Sequence, residues 1–306
     1  MKRILFLLLL ICAGFFIKAQ VYNNEWIDYS KTYYKFRVGT TGLYRITQAT
    51  LSSIGLGNVA AENFQLWRNG KEISLYTSVT SGPFGGSDYI EFWGEMNDGK
   101  PDKQLYLDPD YQLNDHWSLE TDTASYFLTA NSTTPNKRLV TTVNNIAGNT
   151  LSPEPYFMYT LGNYLKGRIN TGNAQKVQES YVYSSAYDKD EGYTSGDITA
   201  GAKFNTTHSN LRVYTAGPDP TFSINAAGNA VNQRSFRVTV NGTQVVQQTM
   251  DYYDYVKFQT PFPLSAISTG TALVSVINDG TAAADRMVLA QYEMTYPRQF
   301  NFDNLK

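Results

Sequence analysis

Apolar and polar residues alternate along most of the chain, and this alternation predicts β-strands. Between residues 89 and 93, Ile90 and Phe92 face one way and their neighbours face the other, which is the two-residue period of a sheet. Short runs of this kind recur with turn residues between them, a spacing typical of sandwiches and jelly rolls. We therefore predict an all-β fold with two β-sandwich or jelly-roll-like lobes. The runs lie at 34–38, 43–46, 64–68, 73–75, 89–93, 126–129, 139–143, 181–183, 211–214, 222–224, 236–240, 244–246, 273–277 and 287–296.

Turn and capping residues connect these runs. Asn69-Gly70 and Asn241-Gly242 tolerate the positive φ of two-residue hairpin turns, and the glycine-flanked stretch 39–42 predicts a third hairpin. One segment departs from the strand pattern. Thr47 can cap the backbone of residues 48–54, and a glycine follows as a stop signal, so we predict one short helix there.

The domain organisation follows from the prolines and from the N-terminus. Pro153 and Pro155 mark a linker between two β-rich regions. The predicted divisions are a signal peptide at 1–19, an N-terminal β-rich domain at 20–150, a second β-sandwich or jelly-roll domain at 151–296, and a connector at 297–306.

The N-terminus has the layout of a secretory signal peptide. Two basic residues precede an unbroken apolar run from Ile4 to Ile17, and Ala19 supplies a small residue before Gln20. The run is shorter than the roughly 20 apolar residues that a membrane span needs, which argues against a retained anchor. Cys12 would be the attachment site of a lipoprotein, but the residues before it lack the small side chain usual at that position.

Removal of the signal peptide changes both the charge and the redox chemistry. It leaves 306 − 19 = 287 residues and takes away the only cysteine and three basic residues, so the net charge becomes (25 − 3) − 27 = −5. An exported chain without cysteine depends on core burial rather than on disulfides. No basic run resembles a nucleic-acid or membrane-surface patch, so nucleic acid is not an expected partner.

Residues that carry common catalytic chemistry are few. Cys12 leaves with the signal peptide, and His116 and His208 are the only histidines. Asp115 precedes His116, but side chains of sequence neighbours diverge in a strand or loop. No G-x-S-x-G elbow and no H-E-x-x-H zinc motif accompanies them. We therefore expect no catalytic residue, no metal ligand and no cofactor in this chain.

Acidic residues cluster in three predicted turns, at 98–102, 108–115 and 188–197. Such loops can supply oxygen ligands to calcium, yet Asp and Asn also favour turns for their backbone geometry. The third cluster resembles the start of an EF-hand loop, but a glycine stands where a ligand belongs. We interpret all three as solvated turns, and the first as a structural turn that closes an edge of the first sandwich.

Tyr252, Tyr253 and Tyr255 form the most conspicuous aromatic group. Clustered tyrosines can serve as platforms that stack on sugars, and tyrosine also favours half-buried strands for purely structural reasons. We favour the structural interpretation and keep the sugar platform as an alternative.

Five segments occur in an order that points to a family: GLYRI at 42–46, FQLWRNGK at 64–71, DYIEFWGEMNDGKPD at 88–102, DTASYFLT at 122–129 and YPRQFNF at 296–302. Together they resemble the N-terminal region of PorU-like gingipain-family cysteine peptidases, the sortase-like proteins of type IX secretion in Bacteroidetes. The resemblance covers nearly the whole chain after the signal peptide and is more specific in the first domain than in the second.

The resemblance implies a region that precedes a caspase-like catalytic domain with a Cys/His dyad, and no residue here matches that dyad. The implied role is that of non-catalytic lobes that dock a cell-surface peptidase on the secretion machinery, position cargo, or serve as a prodomain. Expected partners are the catalytic domain, other type IX components, cargo protein or glycan. The alternative is a free-standing surface module that binds glycan or protein through Tyr253 and Tyr255. Both place the protein in the periplasm, at the outer-membrane cell surface or outside the cell.

Mass spectrometry of the exported protein tests the signal peptide. We expect the mature chain to begin at Gln20, as glutamine or cyclised to pyroglutamate, because signal peptidase cleaves after a small residue such as Ala19. A mature form that still carries Cys12 would contradict this prediction.

Overall fold

The computed structural model describes residues 24–303, apart from 134, 173, 179, 184 and 185. The predicted signal peptide lies outside the described residues. The chain divides into two compact units: residues up to Met96 with Thr123–Asn144 form the first, and Asn97–Asp122 with the residues from Asn145 onward form the second. In the described part of the chain, no helix has the length and apolar character needed to cross a membrane.

The first unit consists of two antiparallel sheets that share one core. The four-stranded sheet has the order β1 (Tyr34–Val38), β7 (Ala124–Ala130), β3 (Phe64–Arg68) and β4 (Lys71–Ile73). The three-stranded sheet has the order β2 (Gly42–Thr47), β6 (Tyr89–Gly94) and β5 (Tyr76–Thr77). Helix α1 (Gln48–Ser53) and a 3₁₀-helix at Ala61–Asn63 connect the strands.

The alternation in the sequence explains the core of this unit. Along β6, Ile90 and Phe92 are fully buried whereas Trp93 is 56% exposed. The Phe92 ring lies 5.4 Å from that of Tyr126 on the facing sheet, and Phe36 stacks on Tyr126 at 5.7 Å. Aromatic pairs at these separations add to the stabilisation from apolar burial, so the two sheets are held by their facing rings.

The local turn and cap signals account for two connections. Asn69 and Gly70 have φ of 48° and 72°, the left-handed values of a type I′ hairpin turn, and they join β3 to β4. Thr47 accepts a hydrogen bond from the backbone N–H of Thr50 at 3.3 Å, which caps α1, and Gly55 follows with φ 82°. The predicted all-β class with one short helix is confirmed.

The predicted hairpin at 39–42 is wrong. Strand β1 pairs with β7, and β2 pairs with β6 in the other sheet. The glycine-flanked stretch therefore carries the chain from one sheet to the other instead of folding it back on itself. The reason is non-local: β1 finds its hydrogen-bonding partner about 90 residues later in the chain, where Val38 faces Ala124.

The second unit is built on two larger antiparallel sheets. The five-stranded sheet has the order β13 (Ile198–Thr199), β20 (Arg286–Arg298), β15 (Thr221–Gly228) and β18 (Tyr255–Pro261), with β8 (Phe157–Tyr164) also paired to β20. The four-stranded sheet has the order β14 (Lys203–His208), β19 (Ala272–Asn278), β16 (Arg234–Val240) and β17 (Thr243–Met250). Two strand pairs complete it: β9 (Arg168–Thr171) with β12 (Glu191–Thr194), and β10 (Ala174–Val177) with β11 (Ser180–Tyr183). Its 3₁₀-helices are Lys100–Gln104, Pro109–Tyr111 and Leu264–Ile267.

Strand β20 is the central element of this unit. It pairs with three other strands, β8, β13 and β15, and buries Tyr292, Met294 and Tyr296 in the core between the two sheets. The Asn241-Gly242 turn, with φ of 48° and 82°, joins β16 to β17 as the sequence predicted.

Residues 97–122 belong to the second unit, whereas the sequence predicts a continuous first domain over 20–150. Side-chain hydrogen bonds to backbone carbonyls hold this segment in place. The Asn114 amide donates to the carbonyls of Leu165 and Ala290, both at 3.1 Å, and the Trp117 indole N–H donates to Tyr164 O at 3.1 Å. These partners lie far away in sequence, so no local pattern reveals them.

Two predicted strands are absent. Residues 139–143 form no strand, and Val140 and Val143 are more than 80% exposed. Residues 211–214 contribute only an isolated bridge from Val213 to Arg298. In both cases the apolar residues suit a strand locally, but backbone pairing stops after a single bridge: Tyr214 and Arg212 bond to residues at the end of β20, and Leu139 bonds to Leu75.

A buried ion pair lies at one end of the second sandwich. Arg234 and Asp285 are both fully buried, and Arg234 Nε donates to Asp285 Oδ1 at 2.7 Å. Asn232 donates to the same carboxylate oxygen at 2.8 Å. Burial alone would raise the pKa of Asp285, but the hydrogen bonds from Arg234 and Asn232 outweigh it and hold the pKa below its ordinary value. Both groups are therefore charged in the folded protein.

Substitution of one partner tests the importance of this pair. Asp285→Ala leaves the Arg234 charge buried without a counter-ion, and we expect it to lower the free energy of unfolding by about 3–5 kcal/mol, measured by urea denaturation. The matched control is Asp279→Ala, which removes the partly exposed pair Arg237–Asp279 and should cost about 1 kcal/mol or less. Equal losses in the two variants would contradict the prediction.

Candidate functional site

A polar cleft opens in the second unit where the β17–β18 turn meets the loop that precedes β12. We call it the acidic cleft. Its volume is about 290 Å³, close to the lower limit for small-ligand sites. The cleft is lined by Lys189, Gln233, Thr249, Met250, Asp251, Asp254 and Tyr255.

One charged contact organises the cleft. The Lys189 ammonium forms an ion pair with Asp254 and lies 5.7 Å from the centre of the Tyr255 ring. Burial alone lowers the pKa of Lys189, but the hydrogen bond with Asp254 outweighs it and the net shift is upward. Lys189 therefore stays charged at neutral pH. Together with a hydroxyl and an amide, these groups can hold a polar ligand by hydrogen bonds, and none of them is a thiol or an imidazole.

Asp190 sits beside this cleft in an unusual environment. Its side chain is 1% exposed, and neither carboxylate oxygen has a hydrogen-bond partner among the described residues. Burial raises the pKa of Asp190 to about 8, although the Lys189 charge opposes the shift and Asp254 and Asp188 reinforce it. A carboxyl group without a donor cannot stay ionised in such a place, so Asp190 is protonated at neutral pH.

The loop that carries Asp190 is held by contacts on both sides. Asp190 has φ 69°, and its carbonyl accepts a hydrogen bond from the Asn170 amide at 3.0 Å. The Tyr106 hydroxyl donates to Glu191 O at 2.8 Å. Gly172 is required below the loop, because a Cβ there would lie 2.6 Å from Lys189 O. These contacts fix the loop in a shape that turns Asp190 inward.

The predicted tyrosines lie in different surroundings. Tyr252 has φ 46° and is 57% exposed at the β17–β18 turn, while Tyr253 is half-buried. Tyr255 packs against Tyr111, with ring centres 6.2 Å apart, and lines the acidic cleft. The three rings therefore do not form one continuous platform, but Tyr255 belongs to a candidate binding site.

The two histidines make structural contacts. His116 stacks on Tyr164, with ring centres 4.1 Å apart and planes 4° from parallel. His208 Nε2 lies 2.8 Å from the Tyr292 hydroxyl. Burial lowers the pKa of each imidazole, so both are neutral at pH 7. Each imidazole contacts a tyrosine side chain. Asp115 is only the sequence neighbour of His116.

The acidic corner at 98–102 forms part of the second unit, so its predicted place at the edge of the first sandwich is wrong. Asp98 binds its near neighbour Lys100 at 2.6 Å. Asp102 is buried, and its carboxylate accepts hydrogen bonds from the hydroxyl of Ser118 at 3.2 Å and the N–H of Leu119 at 2.8 Å. Gly99 has φ −78°, but a Cβ there would lie 2.5 Å from the Trp117 carbonyl oxygen. Position 99 therefore requires glycine because the Trp117 carbonyl oxygen lies so close to it, and not because of a positive φ.

The other two acidic clusters also bind their own surroundings. Asp108 caps the following 3₁₀-helix by accepting from the N–H of Asp110 at 2.9 Å. Asp197 pairs with Arg168 at 2.5 Å. Across the described residues, no three His, Cys, Asp or Glu side chains converge in a way that would hold a metal ion.

A second cleft, in the first unit, was not predicted. We call it the aromatic cleft. Its volume is about 660 Å³, and Trp26 and Phe127 supply its aromatic walls. The sequence carried one signal for it: Phe127 and Trp67 are large aromatic residues at positions that the strand alternation assigns to the outer face of the sheet. Trp26 comes from a stretch without strand periodicity, so nothing local marked it.

The comparisons with known proteins concern the fold. No family model matches the sequence, and no curated protein does. The crystal structure of dimeric latent PorU from Porphyromonas gingivalis is similar with a TM-score of 0.53 and 11% identity, over 89% of this chain and 25% of that chain. This chain therefore has a PorU-like fold and spans about a quarter of PorU.

Carbohydrate-binding modules are also among the similar structures. The module CBM36 in complex with calcium and xylotriose matches with a TM-score of 0.28 and 10% identity, over 44% of this chain and 98% of that chain. The C-terminal CBM6 of a laminarinase, LamC, from Zobellia galactanivorans matches with a TM-score of 0.25 and 11% identity, over 45% of this chain and 99% of that chain.

The buried Asp190 predicts how stability depends on pH. Its pKa is higher in the folded than in the unfolded protein, so its contribution is fully present below about pH 4 and is lost as the pH rises through 8. Asp190→Asn removes this dependence. We expect its melting temperature to exceed that of the natural chain by several degrees at pH 8, with a smaller difference at pH 5.

Asp251→Asn is the matched control, because Asp251 lines the same cleft but is exposed. It should melt in parallel with the natural chain at every pH. If Asp190→Asn and the natural chain lose stability equally between pH 5 and pH 8, Asp190 is not the buried acid described above.

Proposed function

We propose that this chain is the non-catalytic, β-rich region of a secreted, PorU-like gingipain-family cysteine peptidase that acts at the cell surface in type IX secretion. The observation that carries the proposal is the PorU-like fold over 89% of the chain, a share that necessarily includes residues of both units. The order of the five sequence segments described above supports it independently.

The residues present favour a role in binding over one in bond cleavage. Peptide hydrolysis or transpeptidation by this family needs a thiolate activated by a neighbouring base, because a neutral thiol is a weak nucleophile. The only cysteine is Cys12, within the predicted signal peptide. The two histidines are engaged by tyrosine rings. The chemistry would therefore come from a catalytic domain, and this chain would dock that domain, position its cargo or act as its prodomain.

An exposed apolar pair offers a surface for docking. Leu43 on β2 and Trp93 on β6 face each other across the sheet and are 64% and 56% exposed. Exposed tryptophan with a neighbouring aliphatic side chain is typical of the centre of a protein interface. We assign this pair to the contact with the catalytic domain or another component of the secretion machinery.

The second candidate is a free-standing surface module that binds glycan or protein. The acidic cleft favours it, because Tyr255 and several hydrogen-bonding side chains converge there. In that case the chain would act on its own, without a peptidase partner.

Capture from a type IX-secreting cell envelope separates the two functions. Purified residues 20–306 should cleave no peptide, should not react with cysteine-directed inhibitors, and should capture a peptidase catalytic domain or a secretion component. The double variant Leu43→Ser/Trp93→Ser should capture at least about tenfold less, because a central tryptophan of an interface contributes about 2 kcal/mol or more.

The matched control is Val231→Ser, which removes an apolar side chain that is 67% exposed in the second unit and should capture normally. Recovery of polysaccharide without protein would favour the free-standing module. Peptidase activity that survives both His116→Ala and His208→Ala would contradict the non-catalytic role.

A further inference from the structure

The aromatic cleft of the first unit has walls that are built before any ligand arrives. Trp26 packs against three other rings: its centre lies 5.3 Å from Trp67, 5.4 Å from Phe127 and 5.5 Å from Tyr33. Phe127 and Trp67 face each other on neighbouring strands. The rings therefore form one rigid aromatic group on the outer face of the four-stranded sheet, where an ordinary sheet face would be polar.

The segment that carries Trp26 is tied to the sheet. Backbone N–H of Ile27 donates to Asn24 O at 3.0 Å, which closes a turn around Trp26. The N–H of Asp28 donates to the Tyr33 hydroxyl at 3.0 Å, and the Thr129 hydroxyl donates to Thr32 O at 2.8 Å. A wall fixed in this way loses little conformational freedom when a ligand binds, which is the condition for a pre-formed site.

The space beside the two aromatic walls, Trp26 and Phe127, is large enough for a ligand. Its volume of about 660 Å³ lies in the middle of the range for small-ligand sites. Polar groups line the remaining walls: the amide of Asn69, the hydroxyl of Ser125, the ammonium of Lys71 and the carboxylate of Glu25. Asn69 and Lys71 belong to the type I′ turn between β3 and β4, whose geometry is fixed by its left-handed residues.

The polar groups of the cleft narrow the ligand classes. The lining residues carry one ammonium and one carboxylate, so the lining itself has no net charge, and the ammonium of Lys35 lies 6.0 Å from the centre of the Phe127 ring. A hydrocarbon chain offers no hydrogen bond to the Asn69 amide or the Ser125 hydroxyl, so it is a poor ligand for the cleft. A neutral ligand with apolar faces and many hydroxyl groups satisfies both kinds of wall.

We propose that the aromatic cleft binds a neutral saccharide. The apolar C–H face of a sugar ring stacks on Trp26 or Phe127, and its hydroxyl groups exchange hydrogen bonds with Asn69, Ser125 and Lys71. The site is independent of the peptidase-associated role proposed above, so either can fail without the other.

Trp67 supports a closed, water-poor environment beneath the stacking surface. Its indole Nε1 is buried and has no hydrogen-bond partner among the described residues. The Trp67 ring centre lies 5.3 Å from that of Trp26, which lines the cleft. Displacement of water from such a surface by an apolar sugar face adds to the binding free energy.

Tryptophan fluorescence and calorimetry with defined probes test the proposal. The probes are neutral hexasaccharides of glucose, xylose, mannose and N-acetylglucosamine, titrated into the purified chain to about 10 mM, which covers the millimolar dissociation constants of weak sites. We expect at least one hexasaccharide to change the fluorescence and to bind with a measurable heat. Trp26→Ala should weaken that binding by about fivefold or more, since an aromatic contact is worth about 1 kcal/mol.

Tyr76→Ala is the matched control, because Tyr76 is an exposed aromatic residue of the same unit and is not part of the cleft. It should bind as the natural chain does. Since Trp26→Ala removes packing as well as a stacking surface, Ser125→Val at the rim serves as a second variant. It should weaken binding while leaving the melting temperature within about a degree or two of the natural value.

Three results would overturn the proposal. The first is the absence of binding to any of the four hexasaccharides. The second is saccharide binding that is unchanged in both Trp26→Ala and Ser125→Val, which would place the site elsewhere. The third is binding of a proline- and aromatic-rich hexapeptide in the cleft with no saccharide binding, which would assign the cleft to a peptide instead.

Discussion

The second unit depends on the buried ion pair between Arg234 and Asp285. Desolvating two charges is unfavourable, and the pair is tolerated because each of the three guanidinium nitrogens donates to an acceptor. Besides the carboxylate, Arg234 donates to Tyr252 O at 2.7 Å, Asn232 O at 2.8 Å and Ala230 O at 2.9 Å. One side chain thereby joins β16, the turn between β15 and β16, and the turn between β17 and β18.

The Arg234–Asp285 ion pair also requires glycine at two positions near it. A Cβ on Gly228 would lie 1.9 Å from Arg234 Nη1, and a Cβ on Gly280 would lie 1.8 Å from Asp285 Oδ2. Any larger residue at either position would have to displace a buried charge. The acidic cleft is built from the turn that this arginine holds, so the geometry of the candidate site follows from a contact outside it.

The sequence predicted those elements whose formation depends on interactions between residues close together in the chain. The strand of Ile90 and Phe92, the capped helix after Thr47 and the Asn69-Gly70 turn each follow from side-chain alternation, a hydroxyl acceptor or tolerance of positive φ. The crossover at 39–42 was missed because the partner strand of β1 is remote in sequence. Pairing between strands is a non-local choice, and short turn-like segments do not reveal it.

The candidate sites were less predictable than the fold for the same reason. Asp188 and Asp190 look equivalent in sequence, yet only Asp190 turns inward, because Asn170 on β9 and Gly172 just after β9 shape its loop. Tyr255 was recognised as an aromatic residue of interest, but its neighbours Lys189 and Gln233 come from other loops. Trp26 becomes part of a candidate site only through its ring contacts with Trp67 and Phe127. Burial and convergence are properties of the folded chain.

The position of β20 in its sheet has a consequence for the order of folding. This strand pairs with β8, where Thr160 faces Thr295 across 135 residues of sequence. No five-stranded sheet exists until Arg298 has left the ribosome, and contacts closed over such long loops form slowly. The core between the two sheets of the second unit therefore cannot be completed before β20 has been synthesised, although every strand of the four-stranded sheet precedes β20 in the chain.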